Sequence, residues 1–404
     1  MHRTPKPIPL ERAQAIVAAA VRSALAAEPV AIDDALGRVL AEPVAAAADV
    51  PSFTNSAMDG FAVHAGAAGR TLRIVGEARA GSPAAVGVDP ETAVRISTGA
   101  ALPAGAQAVI QLEACAEDSA SQVLVREAVR SERNVRPAGE DMRAGEVVLQ
   151  PGTTLGAAEL AVAVGAGRAS LLCAQRPRVA ILTTGDELRA PGEPLLPGQI
   201  HNSNAAALNG LARAAGAKIS GVAHVGDDLD ATREAISELL GGADLLIATG
   251  GVSVGPHDHV KPALEQLGAS EAFWGVSVRP GKPTWFGEAS GVLVFGLPGN
   301  PRSTMVIFAL LVRPALAALQ GARESAPDVI PALLADPVQR DPARTDALGV
   351  KLERATDGRL WAHPTAGQRS NLTSSLTGAD ALALIEPGDG TAAAGTCVGV
   401  LALR

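Results

Sequence analysis

Asp244-Leu245-Leu246-Ile247-Ala248-Thr249-Gly250-Gly251-Val252-Ser253-Val254-Gly255-Pro256-His257-Asp258 is the stretch on which the fold turns. Its first six residues form a nearly unbroken apolar run, the mark of a strand buried on both faces. The small residues that follow let the backbone turn sharply and bring N–H groups up to an anion. The same rhythm repeats outward from it. Residues 179–183 read as a strand, 203–215 as a helix, 218–224 as a strand and 230–240 as a helix. Beyond the glycines, 258–267 read as a helix, 291–295 as a strand and 301–320 as a long closing helix. Strands alternating with helices specify an open, mostly parallel α/β sheet.

The flanks differ. Residues 9–27 carry apolar positions at helical spacing and open the chain with an amphipathic helix. Residues 51–156 hold short β-like runs at 71–75, 93–97, 108–112 and 122–126, broken by Gly and Pro. The proline-rich stretch 327–342 reads as a linker, and 343–404 returns to short strands. With 404 residues, 47% hydrophobic and 19% charged, the chain is long enough for several packed domains. Alanine fills about one position in five, Tyr is absent and aromatics total 2%, so small side chains must build the cores.

Composition also excludes function classes. A net charge of −8 argues against a nucleic-acid binder, and the scarcity of aromatics removes base-stacking platforms. The run 305–312 is far shorter than the ~20 residues that span a bilayer, and residues 1–13 lack the apolar core of a secretory signal. A cytoplasmic protein with no membrane and no nucleic-acid partner is expected. Cys115, Cys173 and Cys397 show no metal spacing and are expected in cores.

In an open parallel sheet, ligands bind beyond the carboxyl ends of the strands. Three successive ends deliver carboxylates there: Gly185-Asp186-Glu187, Gly226-Asp227-Asp228, and Asp258 after the glycine loop. Clustered carboxylates repel unless a cation intervenes, and Mg²⁺ takes one or two of them plus waters and phosphates. Asp227, Asp228 and Asp230 also suit the cap of the helix at 230, and Asp-Glu after glycine is an ordinary turn. Three such sites on one edge favour a ligand site. Gly296-Leu297-Pro298-Gly299-Asn300-Pro301-Arg302-Ser303-Thr304 leads into the last helix, with Asn300 suited to the cap and Pro301 to the first helical position. Its free N–H groups make an anion site to which Arg302, Ser303 and Thr304 can add donors. Arg279-Pro280-Gly281-Lys282-Pro283 presents two cations. Together these fragments describe a site for a phosphorylated or oxyanionic substrate. His257-Asp258-His259 lacks the second ligand pair of a zinc site, and Pro256 disrupts a serine-nucleophile reading of 251–255.

Several segments, taken in order, resemble one family. They are Asn55-Ser56-Ala57-Met58-Asp59-Gly60-Phe61-Ala62, Ser97-Thr98-Gly99-Ala100-Ala101-Leu102-Pro103, Gly139-Glu140-Asp141, Thr184-Gly185-Asp186-Glu187-Leu188, Asn202-Ser203-Asn204, residues 249–255, Pro280-Gly281-Lys282-Pro283 and Gly296-Leu297-Pro298-Gly299-Asn300-Pro301. The chain thereby resembles the molybdopterin molybdotransferases, MoeA-like enzymes related to the gephyrin E domain. The resemblance implies Mg²⁺-dependent insertion of molybdate into adenylylated molybdopterin, with release of AMP. It implies four domains: a linker-type domain from 1–50 and 140–176, a β-rich domain at 51–139, the α/β molybdopterin-binding domain at 177–325 and a C-terminal β-barrel at 326–404. It also implies a homodimer with composite sites, with other molybdopterin-pathway enzymes as further partners. By resemblance Glu187, Asp228 and Asp258 would hold Mg²⁺ and act in catalysis, with Asp59 and Asp141 added from the N-terminal half. Thr98, Gly185, Asp186, Asn204, Gly250, Gly251, Ser253, Gly255, Pro298, Gly299, Asn300, Pro301 and Ser303 would contact pterin and phosphates, and Arg279 and Lys282 would attract molybdate.

The sequence departs from the family at Gly275 and Arg279, where lysines are common, and Gly275 loses a cation. Arg302 stands where the family carries a small apolar residue and is the candidate to compensate. Gly367-Gln368-Arg369-Ser370 follows the family's Gly-Ser pattern only loosely. Two alternatives stay open: a molybdopterin adenylyltransferase, which residues 1–177 argue against, and a gephyrin-like scaffold. Molybdate and tungstate are not distinguished.

Overall fold

The computed structural model describes residues 6–403 except 120, 253, 254, 256, 257, 327 and 373. At its centre is a six-stranded sheet in the order Lys218–Val225, Arg178–Thr184, Leu245–Thr249, Val292–Leu297, Trp285–Ala289, Ser270–Trp274. The first four strands run parallel, so their carboxyl ends share one edge. Alternate side chains of a strand face opposite layers, and both layers are filled. Val179, Ile181, Leu245, Ile247 and Phe295 pack toward the helix Ser203–Ala214 and the helix Pro301–Leu319. Ala180, Leu182, Leu246, Ala248 and Val294 pack toward Leu229–Leu240 and Val260–Gln266. Pro301–Leu319 is long and apolar enough to cross a membrane, and 72% of it is buried in this core.

Around the centre the chain weaves back on itself. Ala27–Ala31 pairs with Ser170–Ala174 and Val44–Ala45 with Val147–Leu149, enclosing a core of Val30, Leu40, Leu155 and Cys173. Inserted between those halves is a six-stranded sheet running from Gly60–Val63 to Gln122–Val125 in sequence. A third sheet is built from Val329–Leu334, Thr345–Arg354, Leu360–Pro364, Ala381–Ile385 and Cys397–Ala402. Pairing of Thr345–Arg354 with Ala381–Ile385 as well closes it into a barrel. Its Thr345–Arg354 strand also takes Val278–Arg279 from the α/β region as a parallel neighbour.

Three readings are corrected and one strand pair is added. The first helix spans Leu10–Ala20 rather than running to 27, because Leu25 N–H is drawn to the Leu319 carbonyl at 2.8 Å. Residues 327–342 are not a linker: Val329–Leu334 is a barrel strand, with Pro331 opposite Gly399. The antiparallel pair Ser270–Trp274 and Trp285–Ala289 adds two strands beyond those read from the sequence. A side chain at Gly287 would collide with the Ser270 carbonyl, so the glycine permits close strand approach. Cys115 and Cys173 are buried, but Cys397 faces solvent on a strand whose Val398 and Val400 point inward.

Gly60, directly after Asp59, is closed in by the Ile110 carbonyl, which a Cβ would strike. Gly60→Ala should therefore destabilise the inserted sheet by about 1–3 kcal/mol in urea unfolding, in line with overpacking. Gly210→Ala, in a helix with open space around it, should instead stabilise by about 0.5–1 kcal/mol. Equal effects would contradict the steric account.

Candidate active site

The turn at 298–300, at the carboxyl end of Val292–Leu297, has its carbonyls tied back into the protein. Pro298 O accepts from the hydroxyls of Thr249 at 3.0 Å and Thr304 at 2.7 Å. Gly299 O accepts from Asn204 Nδ2 at 2.8 Å, and Asn300 O from Thr304 N–H at 3.0 Å. Asn204 spends its other N–H on Thr249 Oγ1 at 3.2 Å. With the carbonyls turned inward, the Gly299 and Asn300 N–H groups form no hydrogen bond among the described residues. Asn300 and Pro301 take the cap and first helical positions as expected, but the Asn300 side chain makes no cap bond. It reaches instead to Ser370 Oγ at 3.2 Å. Ser303 is buried in the first turn. Asn204, expected to touch ligand, is buried behind the turn and positions it.

Beside the turn, Gly250 and Gly251 adopt φ of 89° and 63°, which favours glycine. A Cβ on Gly250 would stand 2.6 Å from Thr184 Oγ1. That hydroxyl is buried and has no hydrogen-bond partner among the described residues. Sequence reasoning passed over Thr184 and Thr249, although hydroxyls ending otherwise apolar strands are a usable signal. Ser253 lies outside the described residues, and Gly255 donates its N–H to Asp258 Oδ2 at 2.6 Å.

The strand-end carboxylates do share one edge, each with a different engagement. Asp186 Oδ1 accepts from Asp227 N–H at 3.1 Å, bridging two strand ends. Asp228 Oδ1 caps Leu229–Leu240 by accepting from Ala231 N–H at 2.7 Å. Glu187 is exposed, and its carboxylate lies over Gly185, whose φ is 143°. Among the described residues no three His, Cys, Asp or Glu side chains could hold a metal together. The expected set of Glu187, Asp228 and Asp258 is thus not preassembled, because Asp228 and Asp258 each give one oxygen to a backbone N–H.

The basic residues divide. Lys282 is exposed, with no ion pair among the described residues. Arg279 pairs with Asp346 through Nε and Nη2, and Nη1 lies 3.6 Å from Asp341. Its charge is largely answered by the barrel. Arg302 does not line the anion site: it is 1% exposed and bonds to Gln368 and to Ala347 O. Burial pushes its pKa down to about 10. Gly275 has a φ of 97° and packs against Pro7, so a side chain there is strained and crowded.

In the inserted sheet, Asp59 Oδ1 accepts from Thr98 N–H at 2.8 Å, joining two candidates that are 39 residues apart. Asp141 is exposed and donates its N–H to Val50 O at 2.9 Å. No backbone hydrogen bond or strand pairing among the described residues joins 51–139 to the α/β sheet.

Comparison with known proteins covers most of the chain. Residues 8–167 match the MoeA N-terminal region (domains I and II), 180–318 a probable molybdopterin-binding domain, and 331–403 the MoeA C-terminal region (domain IV). A Bacillus subtilis protein named molybdopterin molybdenumtransferase is 34% identical over 93% of this chain and 90% of its own. One of the same name from Staphylococcus epidermidis is 32% identical over 92% and 90%. A solved molybdopterin biosynthesis MoeA protein from Pyrococcus horikoshii superposes with a TM-score of 0.84 at 27% identity, covering 98% of this chain and all of the other.

The double duty of Asp228 can be separated. Asp228→Asn keeps a good cap and should leave unfolding free energy within about 0.5 kcal/mol of wild type, whereas Asp228→Ala should lose about 1 kcal/mol. Urea unfolding checks both. Equal losses would mean the cap is not what the carboxylate contributes to the fold.

Proposed function

The chain belongs to the MoeA family and is an enzyme of the molybdopterin molybdenumtransferase class in molybdenum cofactor biosynthesis, and on that footing we propose that it inserts molybdate into adenylylated molybdopterin in a Mg²⁺-dependent step that releases AMP. The observation that carries this reading is the turn at 298–300, whose unbonded N–H groups stand at the same sheet edge as Glu187. Cleaving a phosphoanhydride requires donors fixed on the oxygens where charge develops. Gly299 and Asn300 N–H groups supply them without reorganising, since Thr249, Asn204 and Thr304 already hold the carbonyls away.

The residues present fit Mg²⁺ rather than zinc or a redox metal. Glu187, Asp228 and Asp258 offer carboxylate oxygens while His224 Nε2 is turned to the Gly185 carbonyl at 3.0 Å, and Mg²⁺ needs few carboxylates when phosphates and water complete its shell. Glu187 would be the principal ligand, because no hydrogen bond within the described chain engages its carboxylate. The second oxygens of Asp228 and Asp258 would stand behind it. Mg²⁺, when bound, would draw charge off the phosphoanhydride oxygens. Lys282, unpaired and exposed, attracts the molybdate dianion. Asp59, oriented by Thr98 N–H, supplies a carboxylate from a module with no strand pairing to the α/β sheet. A two-fold homodimer that brings it across from the partner chain accounts for that separation.

AMP release from adenylylated molybdopterin should require both Mg²⁺ and molybdate. Glu187→Gln should lower it by about 10²-fold or more, as for loss of a charge-stabilising group. Unchanged release in that variant would overturn the assignment, and adenylyl transfer onto free pterin would favour an adenylyltransferase. Co-expressed Asp59→Asn and Glu187→Gln chains should form heterodimers with one intact site and about half the wild-type activity, on symmetry grounds. Heterodimers as inactive as either parent would place Asp59 in its own chain's site or outside it.

A further inference from the structure

We propose that Arg302 is a positioning residue for the phosphate-binding turn, clamping residues 367–370 of the barrel against 298–300 and so setting how the Gly299 and Asn300 N–H groups are presented. The proposal rests on reading that turn as the phosphate cradle. Arg302 is the second residue of the helix that follows the turn, yet its guanidinium lies inside the barrel junction. Nη1 donates to Gln368 O, and Nη2 to Gln368 Oε1 and to Ala347 O at 3.0 Å. Its backbone N–H donates to Ser370 O at 3.2 Å, and Ser370 Oγ receives Asn300 Nδ2. Gln368 is itself pinned, with Nε2 donating to Gly349 O at 2.9 Å and to Thr365 O at 2.7 Å. Its Oε1 also accepts from Gly349 N–H at 3.1 Å.

These contacts lead to one strand. Asp346 holds Arg279, which precedes the Pro280–Lys282 loop, while Ala347 and, through Gln368, Gly349 hold Arg302, which follows the turn. The strand Thr345–Arg354 therefore acts as a common reference for the basic loop and the phosphate turn. Fold cohesion alone is a poor explanation for a cation here. Among the described residues Arg302 makes no ion pair, though Asp346 lies near enough to favour its charge, and its Nε is buried without a partner. An apolar side chain there would leave the Gln368 and Ala347 carbonyls without this donor, so some loss of stability is expected and is read separately from the loss of substrate binding.

The test is steady-state kinetics of the full-length chain with adenylylated molybdopterin, molybdate and Mg²⁺, comparing wild type, Arg302→Met, Arg302→Lys and Gln368→Met. Arg302→Met should stay folded with a melting temperature lower by a few degrees, while its KM for adenylylated molybdopterin rises about tenfold and kcat stays within about threefold, the pattern of lost ground-state and transition-state contact in equal measure. Arg302→Lys should recover part of the KM, because an ammonium can still reach the Gln368 carbonyl. Gln368→Met should resemble Arg302→Met. Hydrogen exchange should quicken in peptides covering 349 and 367–370 in both methionine variants. If wild type turns over and Arg302→Met keeps its KM, the clamp is overturned and the cradle stands. If Arg302→Met loses melting temperature and kcat together, the arginine is structural and the proposal fails. If wild-type turnover needs neither Mg²⁺ nor molybdate, the underlying reading fails, whatever the variants do.

Discussion

On the proposed function, two carbonyls held from behind decide how the phosphate-binding turn is presented to the substrate. Pro298 O is held from behind by the hydroxyls of Thr249 and Thr304, and Gly299 O by Asn204. A peptide unit whose oxygen is fixed on one side presents its N–H on the other, so the anion-binding face follows from buried hydrogen bonds and not from surface charge. The holders come from three places in the chain: a strand end, the start of one helix and the first turn of another. They converge only because Leu245–Thr249 lies beside Val292–Leu297 in parallel register. Pro298 O keeps one partner if either hydroxyl is lost, whereas losing both would leave it unsatisfied at about 1–3 kcal/mol.

The barrel extends the same principle. It is joined to the α/β region through a shared strand pairing and two arginines that reach into it from either side of the site. These contacts place parts more than they add stability. Burial pushes the Asp346 carboxyl up, and Arg279 beside it opposes that shift. Asp341 differs: Arg344 and the Ala343 N–H hold its pKa down to about 2. A carboxyl depressed in the fold favours the fold above the ordinary carboxylate range, and that contribution fades as pH falls toward 2.

Much of this architecture is legible in local sequence pattern. The apolar run at 244–249, the carboxylates after three strands and the Asn300-Pro301 helix start are all encoded within a few residues, and each lies where that coding puts it. What the pattern hides depends on partners distant in sequence. Arg302 looks like a surface donor until Gln368 and Ala347 are brought to it, and Asn204 looks like a ligand contact until Gly299 is seen in front of it. Asp228 could be read as cap or ligand, and the structure shows that the cap occupies one oxygen. The reason for Gly287, the Ser270 carbonyl, likewise lies on another strand.

The most direct measurement is a crystal structure of the wild-type protein with adenylylated molybdopterin bound. The phosphate oxygens should accept hydrogen bonds from Gly299 and Asn300 N–H, with Glu187 facing the phosphoanhydride and the turn unmoved. Phosphates seated instead in the groove of about 530 Å³ lined by Arg189, Asn202, Asn209 and His224 would contradict the account.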